Sequence, residues 1–132
     1  TRTKSSAASD VYKRQFPISP VAASRPRVSR HGAYFTGPYK KFKLDMINVA
    51  EEVLGDFEPI DQIMHVDLEL YVTRPKTTKL IQPKPDIDNY IKAIFDSLNG
   101  KLWVDDTLIK SVYASKQWAS PDEPGYFTLG IG

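Results

Sequence analysis

At 132 residues and 41% hydrophobic content, the chain suits one small domain with its own core. Its net charge is only +2, it has no cysteine, and its two histidines, His31 and His65, lie far apart in sequence. This excludes disulfides, a thiolate zinc centre and a cysteine nucleophile, and argues against a histidine-rich metal site. No apolar run approaches the roughly 20 residues that span a bilayer, and the start lacks the apolar core of a secretion signal. A soluble cytoplasmic protein is the expectation.

Thr1 to Gln15 differ from everything after them, being polar, basic and rich in serine. The run Asp10-Val-Tyr-Lys-Arg-Gln15 resembles the translated end of a transposase adapter. The expectation is a non-native leader over 1–15, disordered or irregular, and a folded domain over 16–132. The leader holds four basic residues and one acid, so the remaining 117 residues carry 14 bases against 15 acids. Overall basicity is therefore no argument for nucleic acid, but its distribution is informative. Arg25, Arg27, Arg30, Lys40, Lys41 and Lys43 form an acid-free stretch, whereas Asp45 to Glu69 contains eight acids and no lysine or arginine. Basic segments beside an acidic site suit the drawing of phosphates toward a metal.

Phe16 to Val28, with Pro17, Pro20 and Pro26, predicts extended chain or an edge strand. Val28 to Thr36, interrupted by Gly32, predicts a hairpin or a mobile loop. From Pro38, a residue suited to a first helical turn, Tyr39, Phe42, Met46, Val49 and Val53 recur at helical spacing until Gly55. Met64 to Thr73 alternates as a half-buried strand, with His65 on its polar face. Arg74 to Gln82 has no period and reads as a loop. A second helix spans Ile87–Leu98, with Ile87, Ile91, Ile94, Phe95 and Leu98 as its buried stripe and Asn99-Gly100 closing it. Trp103-Val104, Leu108 to Trp118 and Tyr126 to Ile131 read as strand, with Pro121 to Gly125 as a turn. The fold class is α+β: a small single domain with a mixed sheet packed against two main helices.

Asp86, Asp88, Asp105 and Asp106 lie within 21 residues. Carboxylates this close repel unless a cation separates them, and a hard divalent ion with oxygen ligands is the usual solution. Asp86 and Asp88 would point about 200° apart within a helix. They converge if Asp86 ends the loop or caps the helix and Asp88 lies in the first turn. A short return is expected to bring Asp105-Asp106 back beside the helix start, with Asp106 inward as the ligand and Asp105 in support. Lys92, one turn after Asp88, pairs with it or reaches a substrate phosphate, and Asp96 continues that line. Each feature alone has an ordinary explanation as helix cap, helix ion pair or solvated turn. Together, beside a basic segment, they point to a metal site that acts on phosphates.

The stretch Lys84-Pro-Asp-Ile-Asp-Asn-Tyr-Ile-Lys-Ala-Ile-Phe-Asp-Ser-Leu-Asn-Gly100, followed by Leu-Trp-Val-Asp-Asp-Thr-Leu-Ile109, resembles the signature of the RusA family of Holliday junction resolvases, often encoded by phages and prophages. Ala23-Ser-Arg-Pro-Arg-Val-Ser-Arg30 is similar to the family's basic N-terminal segment, and Tyr39 to Lys43 to the start of its first helix. The resemblance implies a homodimeric, Mg²⁺- or Mn²⁺-dependent endonuclease without an organic cofactor, which nicks a four-way DNA junction symmetrically in recombination and repair. It implies metal-binding acids at Asp86, Asp88 and Asp106, an adjacent acid at Asp105, and a catalytic lysine at Lys92. Arg25, Arg27, Arg30, Lys84 and Lys40 are the expected DNA-backbone contacts. Two alternatives stay open: a catalytically impaired branched-DNA-binding dimer, and a nuclease acting on flap or other branched DNA.

Overall fold

The computed structural model describes residues 12–34 and 37–132. Its elements are β1 (Tyr12–Phe16), β2 (Arg27–Ser29), β3 (Gly32–Tyr34), α1 (Gly37–Leu54), β4 (Met64–Val72), α2 (Ile87–Leu98), a 3₁₀ turn (Asp106–Leu108), β5 (Ile109–Trp118) and β6 (Tyr126–Ile131). Four strands form one sheet in the order β1-β6-β4-β5. The β1–β6 and β6–β4 pairs are antiparallel and β4–β5 is parallel, so the sheet is mixed as expected.

Alternation along β4 decides which face of the sheet is covered. Met64, Val66, Leu68 and Leu70 are buried under the helices, while His65 and Glu69 remain exposed. On that open face, Tyr71 stacks on Tyr126 at 4.5 Å and the Thr128 hydroxyl donates to Glu69. The covered face receives Tyr39, Phe42, Met46 and Ala50 from α1, and Phe127, Leu129 and Ile131 from β6. Helices on one face of a sheet give the expected α+β arrangement.

Five local features differ from the sequence reading. The sheet begins at Tyr12, so the irregularity expected through Gln15 fails for 12–15. Tyr12 pairs with Ile131 and Phe16 with Phe127, and the Phe16 and Phe127 rings stack at 4.7 Å. The apolar residues of β6 need an antiparallel neighbour, and this segment supplies it. The rest of the proposed leader, 1–11, lies outside the described residues, as do Phe35 and Thr36 of the expected hairpin segment. Beyond Phe16, the proline-rich chain to Pro26 is irregular rather than strand.

In α2 the fully buried positions are Tyr90, Ala93, Ile94 and Leu98, whereas Ile87, Ile91 and Phe95 are only half-buried. The helix touches both β5 and α1, so its buried arc is rotated from the purely aliphatic stripe. Trp103-Val104 is not a strand. The Trp103 segment docks against Ile60 through Ile60 N–H to Leu102 O and Val104 N–H to Ile60 O. Its buried indole meets Phe95 edge-on at 5.1 Å and donates to Asn99 Oδ1 at 2.7 Å. Leu108 belongs to the 3₁₀ turn, not to β5.

The Tyr12 ring lies 4.8 Å from Phe57, but its buried hydroxyl has no hydrogen-bond partner among the described residues. Burial raises its pKa, with Arg14 over the ring acting in the opposite direction. An unpaired buried hydroxyl costs stability, so Tyr12→Phe is expected to raise the urea midpoint, by about 1 kcal/mol in stability; a lowered midpoint would contradict this. Gly125 marks the opposite case. A Cβ there would lie 2.6 Å from Tyr71 O and 2.7 Å from Thr73 N, where only glycine lets the strands approach. Gly125→Ala is expected to cost about 1–3 kcal/mol in the same measurement.

Candidate active site

The acids lie on the crossover that joins β4 to its parallel partner β5. Pro85 favours extended backbone before α2, and Asp86 sits at the N-cap with φ −64° and ψ 144°. Its side chain makes no cap hydrogen bond, so the ordinary explanation of an aspartate at this position does not apply. Asp88 follows in the first turn, where the helix dipole favours a negative charge. Both are exposed and neither has an ion-pair partner among the described residues.

Lys92 does not pair with Asp88. Its ammonium donates to Asp96 Oδ2 at 3.0 Å, one turn further on. That hydrogen bond and the Asp96 charge raise the Lys92 pKa, against a small effect of burial, and the Tyr39 and Asp106 side chains act in the same direction. Asp88, Lys92, Asp96 and Asn99 thus form one polar ridge along α2. The influence of Tyr39 also brings the N-terminal end of α1 to this ridge.

Asp106 is not beside the helix start. Asn99 Nδ2, just beyond the C-terminal end of α2, donates to its Oδ2 over a long 3.5 Å. Asp88 and Asn99 are separated by about 16 Å of helix rise. Asp105 accepts from the Thr107 N–H at 3.0 Å and caps the 3₁₀ turn; that bond, first among its causes, lowers its pKa. The expected return toward the helix start fails because parallel pairing needs β5 to begin beside Met64, at the opposite end of β4 from the α2 entrance. Among the described residues, no three His, Cys, Asp or Glu side chains are placed to hold one metal ion.

The basic residues approach from two directions. Ala23 N–H donates to Asn89 O at 2.9 Å, mooring the Arg25-Pro-Arg27 segment on the first turn of α2. Arg27 begins the β2–β3 hairpin and Arg30 lies at its turn; all eight residues from Arg27 to Tyr34 are exposed. Lys84 is exposed one residue before Pro85-Asp86, and Lys40 is exposed in the first turn of α1. No acid offsets the positive end of the α1 dipole in that turn, a combination that attracts anions.

A family model described as Endodeoxyribonuclease RusA matches residues 17–125. The chain belongs to the RusA family. It is also 31% identical, over 123 residues, to a protein of Bacillus subtilis (strain 168) described as the uncharacterized protein YqaN, with 80% of this chain and 84% of that protein covered. RusA proteins are endodeoxyribonucleases that act on Holliday junctions and generally use divalent metal ions. The aspartates on this crossover offer carboxylate oxygens, the donors that such an ion takes. Asp86 and Asp88 offer two such donors, whereas Asp106 lies beside Asn99 and, among the described residues, completes no three-acid cluster with them. Among the described residues, no helix is long and apolar enough to cross a membrane.

Sequence reasoning missed three contributors: Asn99, which links Trp103 to Asp106; the Ala23 mooring; and Lys116, whose ammonium donates to the Pro83 and Pro85 carbonyls. Only Lys116 left a signal, as a lysine in a strand of otherwise apolar inward positions.

The Lys92–Asp96 pair gives a pH prediction. A lysine whose folded pKa lies above its ordinary 10.5 adds stability below that value and loses it as pH rises through the folded pKa. Asp96→Asn is expected to shift Lys92 titration, followed by NMR at Nζ, to lower pH; an unchanged midpoint would show that the pair does not govern it.

Proposed function

We propose that this chain is a divalent-metal-dependent, structure-selective endodeoxyribonuclease that resolves four-way junctions by paired nicks as a homodimer. The observation that carries this reading is the Ala23–Asn89 hydrogen bond, which fixes the chain two residues before Arg25 on the helix turn of Asp86 and Asp88, two acids without an ion-pair partner among the described residues. Arginines at that place would bind the DNA backbone and bring a phosphodiester to Asp86 and Asp88. Arg30, Lys84 and Lys40 would extend the contact, setting register without reading sequence.

Asp86 and Asp88 of one protomer and the partner's Asp106 would hold the metal. The distance along α2 supports sharing: two α2 helices crossing antiparallel about a two-fold axis would set each Asn99 end beside the other's Asp88 end. The ridge suits such a contact, because its lysine and acid alternate and become self-complementary when reversed. A bound divalent ion would lower the pKa of a water and neutralise the scissile phosphate. Lys92, held by Asp96, would offset negative charge developing on the phosphate. Two such sites in one symmetric dimer would account for nicks in two opposed strands.

Complementation tests the whole reading. Wild type, Asp88→Asn, Asp106→Asn and a co-expressed mixture of the two variants are incubated with a four-way junction, a flap and linear duplex, in Mg²⁺, Mn²⁺ or EDTA. Wild type is expected to nick the junction in metal alone, and each variant to lose at least about 100-fold, since even outer residues of metal sites cost that much. In the mixture, heterodimers should carry one intact site, restoring nicking at about a quarter of the sites under random pairing. Heterodimers that form but never cut would rule out the shared site. Junction binding by wild type without cutting would favour a binding-only dimer, and equal cutting of flaps a different branched substrate.

A further inference from the structure

Across from Val66, Leu68, Leu70 and Val72 of β4, the strand β5 places Val112, Ala114, Lys116 and Trp118 on the helix-covered face. A lysine there needs acceptors for an ammonium drawn partly out of water. The Lys116 ammonium has two: it donates to Pro83 O at 2.9 Å and to Pro85 O at 2.6 Å. Trp118, two residues further along the same face, donates its indole N–H to Leu80 O at 3.0 Å. One strand therefore holds three carbonyls of the segment that enters α2.

The choice of residue follows from the chemistry of that segment. Pro83 and Pro85 have no N–H, so they dock only through carbonyl oxygens. The complement to acceptors without donors is a group with donors and no acceptor, and the lysine ammonium supplies three. The Pro85 carbonyl belongs to the peptide plane whose nitrogen is that of Asp86. Holding it sets the direction in which the chain enters the N-cap and where the Asp86 and Asp88 carboxylates begin.

We propose that Lys116 is a positioning residue for the nuclease site, acting through Asp86 without touching DNA or metal. The role rests on the reading of Asp86 and Asp88 as site residues, whereas the clamp itself can be measured without any activity. Lys116→Met keeps the apolar stem and removes the donors; Lys116→Arg keeps donors.

Three measurements are made on the full chain. Thermal unfolding first establishes that both variants fold. Amide hydrogen exchange then reads residues 84–89 and is expected to speed up at least about tenfold in Lys116→Met, as for a segment released from its tether. Junction cleavage is expected to lose about 100-fold in kcat in Lys116→Met, the scale of a 1 Å misplacement, with little change in KM, and Lys116→Arg to recover most of both effects. Unchanged exchange in Lys116→Met overturns the clamp. Weakened junction binding with kcat retained overturns the positioning role in favour of DNA contact. If Lys116→Met does not fold, Lys116→Gln takes its place: faster exchange with lowered kcat supports the clamp, and wild-type behaviour overturns it. If the wild type cuts no DNA, the proposed function falls, while hydrogen exchange still decides the clamp.

Discussion

The parallel pairing of β4 with β5 is the constraint on which the site depends. Antiparallel neighbours can be joined by a tight turn, but parallel strands require the chain to travel the length of the sheet and return. Here the return path is α2, and every acid of the candidate site is on it. The path enters the helix at the far end of β4 and reaches β5 beside Met64. Asp86 and Asp88 therefore stand at one end of α2 and Asp106 at the other, next to Asn99. The same crossover exposes one side of the helix from end to end, the side a symmetric partner would have to meet.

Charge is distributed to match. Asp86 makes no cap hydrogen bond, and among the described residues neither Asp86 nor Asp88 has an ion-pair partner. Asp96 takes up Lys92 and raises its pKa further above the ordinary lysine value. The backbone bond from Ala23 to Asn89 ties the chain that leads to Arg25 and Arg27 to the helix start. The N-terminal turn of α1 contributes lysines at a pole already positive, an arrangement that weakens the helix slightly and favours an anion. None of these features alone marks an enzyme; a nuclease needs free acids, a retained cation and a track for phosphates in one place.

Periodicity made the main elements legible. The alternation of Met64 to Val72, the helical spacing from Tyr39 and the caps at Gly55 and Asn99-Gly100 are local signals, and the helices and strands they predict are present. The misses share a different cause. Tyr90 and Trp103 are buried by neighbours remote in sequence, and Trp103 becomes core because Ile60 and Asn99 flank it. Tyr12–Gln15 look like polar leader by composition, yet the open edge of β6 recruits them as a strand. The stripe of α2 is rotated because two layers, not one, touch the helix.

For the site, the residue types were readable from the chain alone: hard oxygen donors, a lysine one turn on, and basic segments to either side. These follow from composition and short spacing, which local geometry preserves. What only the tertiary structure decided is which of these groups meet. Lys92 turned to Asp96 rather than Asp88, because an i,i+4 pair in either direction is equally close along the sequence. Asp106 was carried away from Asp86 and Asp88, because the register of a parallel sheet outranks any preference of a short loop. The pairing of β5 with β4 brought Lys116 to Pro85, thirty-one positions away in sequence, a contact that no local pattern encodes.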